Sequence, residues 1–117
     1  MNKIYYLKTC DTCRRILKEI EPGPNTQLRE IGITPIDSEE LNALYCLAGS
    51  FEALLNKRAQ LFKARGLNKQ ILTESEIRDL LLEHYTFLKR PIVLTNSEIF
   101  IGNSAKTVAL AKKALQP

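Results

Sequence analysis

The sequence predicts an α/β fold with a mixed four-stranded sheet, in which a βαβ unit and a closing ββα unit flank an inserted helical region at about 38–85. Two apolar runs, at 4–7 and 92–95, are rich in the β-branched and aromatic residues typical of buried strands. Between them, apolar residues recur at helical spacing. The second run is followed by a two-residue turn and another apolar run, which indicates a hairpin.

The βαβ unit is predicted from the first part of the chain. Residues 4–7 form the first strand, and the segment at 14–20 places Ile16 and Ile20 on one helical face. The Pro-Gly-Pro-Asn turn at 22–25 ends this helix. Residues 27–31 then alternate polar and apolar side chains, as a second strand does. Because βαβ crossovers are right-handed, the two strands are expected to be parallel.

Helix caps indicate the start of the inserted region. Asp37 and Ser38 precede acidic residues, so they are predicted to cap a helix that ends at Gly49. Cys46 lies in this helix, and we expect it to be a small core or half-buried residue. A further helix is predicted at 51–55. The apolar stripe of the first of these helices is expected to contain Leu41, Leu44, Tyr45 and Ala48.

The rest of the inserted region is basic and then helical. The segment 56–66 is either a solvated helix face or a surface that faces an anion. Thr73 and Glu76 have the spacing of a capping box, which predicts the start of a helix. His84 is expected to finish that helix and to donate a hydrogen bond to a nearby carbonyl, rather than to act in catalysis.

The ββα unit closes the chain. Residues 92–95 and 98–101 are predicted to form the antiparallel strands of a hairpin, joined by Asn96 and Ser97. A last helix is predicted at 105–115, where apolar residues again follow helical spacing.

A Cys-x-x-Cys pair, Cys10 and Cys13, lies at the turn from the first strand into the first helix. Unpaired backbone N–H groups and the dipole of the first helical turn stabilise an anion there, so the first thiol ionises more readily. Lys8, Arg14 and Arg15 add positive charge in the sequence nearby. The second thiol, one helical turn further on, is placed to attack a mixed disulfide formed at the first. The pair therefore predicts thiol redox chemistry.

Other uses of the two cysteines are a zinc site, a structural disulfide or inert buried thiols. A zinc site needs further ligands, but only Cys46 and His84 remain, and neither forms a second metal-binding pair. No metal site is therefore expected. A disulfide across so short a loop constrains the unfolded chain very little, and the flanking cations argue against inert thiols.

Composition indicates a small intracellular protein. At 117 residues with a net charge of +4, the chain is expected to form one domain over 1–117 and to be monomeric. No apolar run approaches the ~20 residues that span a bilayer, and no secretory signal is apparent. Three cysteines suit a reducing compartment, so a cytoplasmic location is expected. Nucleic acid is not expected as a partner, because no Lys/Arg block resembles a nucleic-acid-binding arm, and the short apolar runs likewise argue against a membrane.

A Cys-x-x-Cys after the first strand of a βαβ unit, with a closing ββα unit, is the thioredoxin-like arrangement. The chain resembles the ArsC/Spx family of glutathione- or thiol-linked arsenate reductases and their relatives. The resemblance extends from the Cys10 turn, through Leu-Leu-Asn-Lys-Arg at 54–58, to Lys-Arg-Pro-Ile-Val-Leu at 89–94. It implies that Cys10 is the nucleophile, that Pro91 is in the cis form, and that Arg90 lies beside Cys10.

The chain also departs from the arsenate reductases of this family. The resemblance implies three arginines that bind the oxyanion, of which Arg90 is kept. Asn56 occupies the second position, with Arg58 two residues away, and Gly102 occupies the third. Each charge-assisted contact contributes about 1.5–3 kcal/mol, so weaker arsenate binding is expected. Cys13 is a further departure, since those enzymes lack a cysteine at that position.

The pattern is closest to two branches of the family. YffB-like proteins resemble glutathione-dependent thiol reductases, whereas Spx-like proteins are redox-sensing regulators that bind the RNA polymerase α subunit. Gly49 falls near a glycine that this contact uses. A basic C-terminal extension, implied for the regulators, does not follow the last predicted helix, so a reductase is the preferred expectation.

The predicted mechanism is thiol–disulfide exchange. Cys10 attacks an oxidised substrate or a small-thiol mixed disulfide, Cys13 resolves the adduct, and Arg90 stabilises the thiolate. Glutathione, glutaredoxin or thioredoxin is the expected electron donor, and no bound cofactor is expected. Thr9 and Thr12 either orient the turn through their hydroxyls or simply begin the helix. The predicted substrate-binding residues are Lys8, Thr9, Thr12, Arg58 and Pro91.

Overall fold

The computed structural model describes residues 2–116, and their contacts divide the chain into two compact units. The first unit contains the chain up to Thr34 and again from Arg90 onward. The second unit is Pro35–Lys89. It encloses the helical insertion predicted at about 38–85.

The first unit contains a four-stranded sheet within residues 2–116. Its strands are β1 (Asn2–Tyr6), β2 (Thr26–Glu30), β3 (Ile92–Leu94) and β4 (Ile99–Ile101). Their order is β2-β1-β3-β4, with β1 and β2 parallel and β3 antiparallel to both β1 and β4. Ile4 of β1 lies opposite Leu28 and Val93. The predicted mixed sheet, with its parallel crossover and its hairpin, is confirmed.

Two helices of the first unit, α1 (Asp11–Ile20) and α5 (Ala105–Leu115), pack against each other and against one face of the sheet. Side chains alternate along a strand, so Ile4 points to this face while Tyr5 points to the other. The buried cluster formed in this way contains Ile4, Ile16, Ile20, Val93, Val108 and Ala111. Glu21 ends α1 with φ of 51°, and its N–H donates to the carbonyl of Leu17.

The second unit is helical. Its α-helices are α2 (Ser38–Ala48), α3 (Gln60–Ala64) and α4 (Glu74–Glu83), and short 3₁₀ helices occupy Glu52–Leu54, Leu67–Lys69 and Tyr85–Phe87. The helix predicted at 51–55 is thus a single 3₁₀ turn. It stops because Leu55 adopts an extended conformation and forms a β-bridge with Leu88. No helix within residues 2–116 is long and apolar enough to cross a membrane.

The predicted caps of the second unit are confirmed. Asp37 begins α2 and Thr73 begins α4, each through a complete capping box with a glutamate three residues later. Gly49 ends α2 with φ of 88°, a left-handed conformation that glycine adopts without a steric penalty.

The orientation of α2 corrects the prediction for Cys46, which is exposed rather than buried. Leu41 and Leu44 are the fully buried residues of this helix. At about 100° per residue, Cys46 is about 200° around the helix from Leu44 and so faces solvent. Tyr45 is also 38% exposed and stacks on Phe51 instead of entering the core.

His84 ends α4 as predicted, through its N–H bond to the carbonyl of Leu80. Its side chain forms a different hydrogen bond from the one expected. The imidazole Nδ1 accepts a bond of 3.1 Å from the backbone N–H of Thr86, instead of donating to a carbonyl. This bond begins the 3₁₀ helix that follows, so His84 joins two consecutive helices.

Candidate active site

The candidate active site is the turn between β1 and α1, which ends at Cys10. The N–H of Cys10 donates to the carbonyl of Leu7 at 3.1 Å, and Cys10 itself is the N-cap of α1, with φ of −91° and ψ of 115°. Its carbonyl accepts the N–H of Arg14, so the helix begins immediately after it. The thiol is therefore next to the unpaired N–H groups of the first helical turn.

The surroundings of Cys10 favour its thiolate. Partial burial acts to raise the pKa of this thiol, but other groups outweigh that effect and lower the pKa below its ordinary value. These groups are the backbone N–H and the thiol of Cys13, the guanidinium of Arg90 and the backbone N–H of Thr12. The predicted activation of the first thiol by the start of a helix agrees with this result.

Cys13 has the opposite environment. Its side chain is 0% exposed, and burial raises its pKa to about 11, with a further contribution from the negative charge of Cys10. At neutral pH the proton therefore stays on Cys13, which hydrogen-bonds to the sulfur of Cys10. The pair combines a partly exposed nucleophile with a buried thiol that keeps its proton.

Arg90 is the cation that acts on both thiols, and it lowers the pKa of each. It lies two residues before β3, and the Arg90–Pro91 peptide bond is cis, as the resemblance implied. The carbonyl of Pro91 accepts the N–H of Gly102 at 3.0 Å. The sequence neighbour Arg14, by contrast, forms an exposed ion pair with Asp11.

The other predicted residues of the turn have distinct positions. Lys8 and Thr9 are exposed, while Thr12 is half-buried and directs its backbone N–H to Cys10. The backbone N–H of Lys8 donates to the carboxylate of Glu30 at 2.6 Å. The participation of these three side chains in substrate binding remains a prediction.

Glu30 was not identified from the sequence. At the end of β2, its carboxylate accepts hydrogen bonds from the backbone N–H groups of Lys8, Gly32 and Ile33. Lys8 is 22 residues away along the chain, so no local pattern indicates this contact. The parallel pairing of β1 and β2, which was predicted, is the signal that brings the two chain segments together.

The model of the ArsC family matches residues 5–110. The chain belongs to the ArsC family. It is 32% identical to the regulatory protein MgsR of Bacillus subtilis over 115 residues. This alignment covers 93% of this chain and 89% of MgsR. It is also 32% identical to the arsenate reductase of Escherichia coli strain K12 over 94 residues, or 79% of this chain and 67% of that enzyme.

Solved structures confirm the thioredoxin-like fold of this ArsC-family chain. An arsenate reductase from Vibrio cholerae superposes with a TM-score of 0.78 at 26% identity, covering 94% of this chain and 96% of the other. A YffB protein superposes with a TM-score of 0.76 at 23% identity, covering 95% and 98%. The predicted membership in the family and the predicted fold are thus both confirmed.

Asn56 and Arg58, which the resemblance places at and near the second oxyanion-binding arginine, belong to the second unit. The backbone N–H of Asn56 donates to the carbonyl of Phe87 at 2.7 Å, and its side-chain amide donates to that of Thr86 at 3.4 Å. Its Oδ1 accepts the N–H of Arg58. Asn56 therefore holds its segment to the end of the insertion, while the side chain of Arg58 is exposed. A role of Arg58 in anion binding remains a prediction.

Proposed function

We propose that this ArsC-family protein is a thiol–disulfide reductase of the reducing cytoplasm, in which Cys10 is the nucleophile and Cys13 the resolving thiol. Glutathione, glutaredoxin or thioredoxin supplies the electrons. One observation supports this proposal above the others. The two thiols are hydrogen-bonded to each other at the start of α1, and the pKa of Cys10 is lowered while that of Cys13 is raised.

The first step of the proposed reaction is attack of the Cys10 thiolate on one sulfur of a disulfide substrate. A bond forms between that sulfur and Cys10, the substrate S–S bond breaks, and one substrate thiolate leaves. Arg90 and the N–H groups of Thr12 and Cys13 stabilise the attacking thiolate. The product is a mixed disulfide at Cys10.

Cys13 completes the reaction. Burial keeps its pKa high, but the charge and the hydrogen bond of the Cys10 thiolate also raise it. Both contributions disappear when Cys10 becomes part of a neutral mixed disulfide. Cys13 then loses its proton to solvent more readily, attacks the sulfur of Cys10 and releases the second substrate thiolate. Two electrons from the external thiol donor return the resulting Cys10–Cys13 disulfide to the dithiol.

An alternative proposal is an Spx-like regulator that binds the RNA polymerase α subunit and uses the same cysteine pair as an oxidation sensor. The likeness to MgsR over 93% of this chain favours it. In that case the purified protein is expected to form a stable complex with the α subunit. The complex should weaken on oxidation or when a bulky charge replaces Gly49, which is exposed at the end of α2.

Arsenate reduction is a further alternative, favoured by the relatives that are named arsenate reductases. Against it, the resemblance implies three oxyanion-binding arginines, and Asn56 and Gly102 occupy two of those three positions. Only Arg90 of that set is retained, so the proposal of a disulfide substrate takes precedence.

A coupled assay separates these proposals. The reduced protein is supplied with a small disulfide or with arsenate, and with electrons from glutathione plus glutaredoxin or from thioredoxin. Cys10→Ser is the blank. Turnover of the disulfide alone is the expected result, and arsenate turnover above the blank would instead establish arsenate reduction. If neither substrate turns over while Cys10 and Cys13 still form a disulfide, the regulator is the correct assignment.

A further inference from the structure

The carboxylate of Glu30 bridges the two loops that leave the carboxyl ends of β1 and β2. We propose that Glu30 is a positioning residue, which holds the turn from Lys8 to Cys10 so that the N–H groups of Thr12 and Cys13 point to the sulfur of Cys10. This inference rests on the proposed function, because it concerns the reactivity of Cys10. Glu30 acts through the backbone and is not itself a catalytic residue.

Three hydrogen bonds form the bridge. One carboxylate oxygen, Oε2, accepts the N–H of Lys8 at 2.6 Å. The other, Oε1, accepts the N–H groups of Gly32 and of Ile33, the latter at 3.0 Å. The first bond is in the loop after β1 and the other two are in the loop after β2. The last residue pair of β1 and β2 is Tyr6 and Glu30, and the carboxylate of Glu30 extends the contact between the two chain segments beyond it.

The bridge bears directly on the geometry of Cys10, because Lys8 precedes it by only two residues. Leu7 is 7% exposed, and its carbonyl accepts the N–H of Cys10 at 3.1 Å. The short turn is thus held by burial and a hydrogen bond at Leu7, and by Glu30 at Lys8. Without the carboxylate, the exposed residues Lys8 and Thr9 retain no described backbone bond to β2, and the start of α1 is less fixed.

Gly32 makes room for the bridge. A Cβ atom at this position would lie 2.9 Å from Oε1 of Glu30 and 3.0 Å from Cδ1 of Leu7. Any larger residue must therefore displace either the carboxylate or the buried side chain at the base of the turn. This close approach is independent of the charge on Glu30, so it provides a second way to disturb the same turn.

The charge state of Glu30 suits this role. Partial burial acts to raise its pKa, but the N–H groups of Lys8, Ile33 and Gly32, together with the ammonium of Lys8, lower it. The carboxylate is therefore ionised at neutral pH, and the three hydrogen bonds are charge-assisted.

The test is the pH dependence of Cys10 alkylation by iodoacetamide in the full reduced chain, measured by peptide mass spectrometry so that Cys10 is read separately from Cys46. In Glu30→Ala, Glu30→Gln and Gly32→Ala, the midpoint of the alkylation pH profile is expected to rise by about one unit, so that the thiolate fraction of Cys10 at neutral pH falls by up to roughly tenfold. In Glu30→Gln, the amide oxygen can still accept the N–H groups of Gly32 and Ile33, but the amide NH₂ cannot accept the N–H of Lys8.

Glu76→Ala is the matched control, because this carboxylate also accepts a backbone N–H, that of Thr73, and its pKa is also lowered. In this control variant, the midpoint of the Cys10 alkylation pH profile should equal that of the wild type. The direction of the shift is decisive. Removal of a nearby negative charge would by itself lower the pKa of Cys10, so a falling midpoint in Glu30→Gln overturns the positioning role.

Failure of this inference is distinguishable from failure of the proposed function. If wild-type Cys10 has a lowered midpoint and all three variants retain it, Glu30 has no positioning role and the reductase proposal stands. If wild-type Cys10 titrates as an ordinary thiol and no disulfide turns over, both proposals are overturned. Should Glu30→Ala not fold, the other two variants still give the answer.

Discussion

At the residue scale, Cys10 and Cys13 carry the same thiol in two different environments. Cys10 is the partly exposed N-cap of α1, whereas Cys13 lies within the helix and is 0% exposed. Desolvation penalises the charged form of Cys13, while backbone N–H groups and Arg90 stabilise the charged form of Cys10. A difference of one helical turn is thus enough to separate a nucleophile from a proton-bearing partner.

Replacement of Arg90 by glutamine tests the electrostatic part of this argument. The guanidinium lowers the pKa of Cys10, so Arg90→Gln should raise it and slow alkylation at neutral pH by about three- to tenfold. Above the raised pKa the rates of variant and wild type should converge, because both thiols are then ionised. Arg14→Gln is the control, since Arg14 already pairs with Asp11. Equal midpoints of the Cys10 alkylation profile in Arg90→Gln and the wild type would show that Arg90 does not stabilise the Cys10 thiolate.

Replacement of Cys13 by serine tests the resolving role. The mixed disulfide at Cys10 should form at a similar rate but persist, because no second thiol is present to attack it. Intact-mass measurements after one turnover should show the substrate adduct on most molecules, and turnover should fall at least about tenfold. Cys46→Ser, which changes an exposed cysteine outside the pair, should release the adduct as the wild type does. An equally short-lived adduct in both variants would disprove the role of Cys13.

Local chemistry made part of this site predictable. The Cys-x-x-Cys spacing and its place before a helix indicated the reactive pair, because both features belong to neighbouring residues. Glu30 was not predictable in this way, since its partner Lys8 is 22 residues away. The burial of Cys46 was predicted wrongly because residue type indicates only a tendency, while the rotation of α2 is set by Leu41 and Leu44.

At the element scale, helix ends are predicted well where the cap and its partner are close in sequence. Asp37 and Thr73 each bond a residue three positions away, so both capping boxes could be recognised directly. The segment at 51–55 has one local cap, because Oγ of Ser50 accepts the N–H of Ala53 at 3.1 Å, but it also has a distant partner. Its 3₁₀ turn depends on Glu74, whose carboxylate accepts the N–H groups of Phe51 and Glu52 at 2.7 and 3.1 Å.

Removal of the Glu74 carboxylate should therefore destabilise the second unit. Glu74→Ala leaves the N–H groups of Phe51 and Glu52 to water, and the free energy of unfolding should fall by roughly 0.5–1.5 kcal/mol in urea titrations. Ser75→Ala is the control, because it lies on the same exposed first turn of α4 and leaves both hydrogen bonds intact. The contact has no stabilising value if the two variants unfold at the same urea concentration.

At the scale of the whole molecule, the topology was predictable because few arrangements satisfy the order of the elements. A right-handed crossover makes β1 and β2 parallel, and a tight turn makes β3 and β4 antiparallel. The extent of the insertion was less predictable. The second unit continues to Lys89 because the N–H of Lys89 donates to the carbonyl of Leu54 at 2.8 Å, a contact between distant parts of the sequence.

Stability of the whole chain should depend on pH in the acidic range. Folding lowers the pKa of Glu30 and of Glu76, so each stabilises the folded state above its unfolded pKa, and this contribution is lost as the pH falls through the lower folded value. The free energy of unfolding should therefore decrease below about pH 4.5. Glu30→Gln should show a shallower decrease, and curves that remain parallel to that of the wild type would contradict the linkage.

The three cysteines differ in exposure, and this affects how the oxidation state of the protein must be measured. Cys46 is open to solvent, Cys10 is half-buried and Cys13 is buried. An alkylating reagent added to the native reduced protein should modify Cys46 and Cys10 but reach Cys13 only after unfolding, because a thioether at Cys10, unlike a mixed disulfide, cannot be attacked by Cys13. Because Cys46 is exposed, oxidation can also form an intermolecular disulfide between two Cys46 residues. A dimer band on a non-reducing gel is therefore not a measure of the Cys10–Cys13 disulfide. The reliable quantity is the number of thiols per chain, counted before and after denaturation.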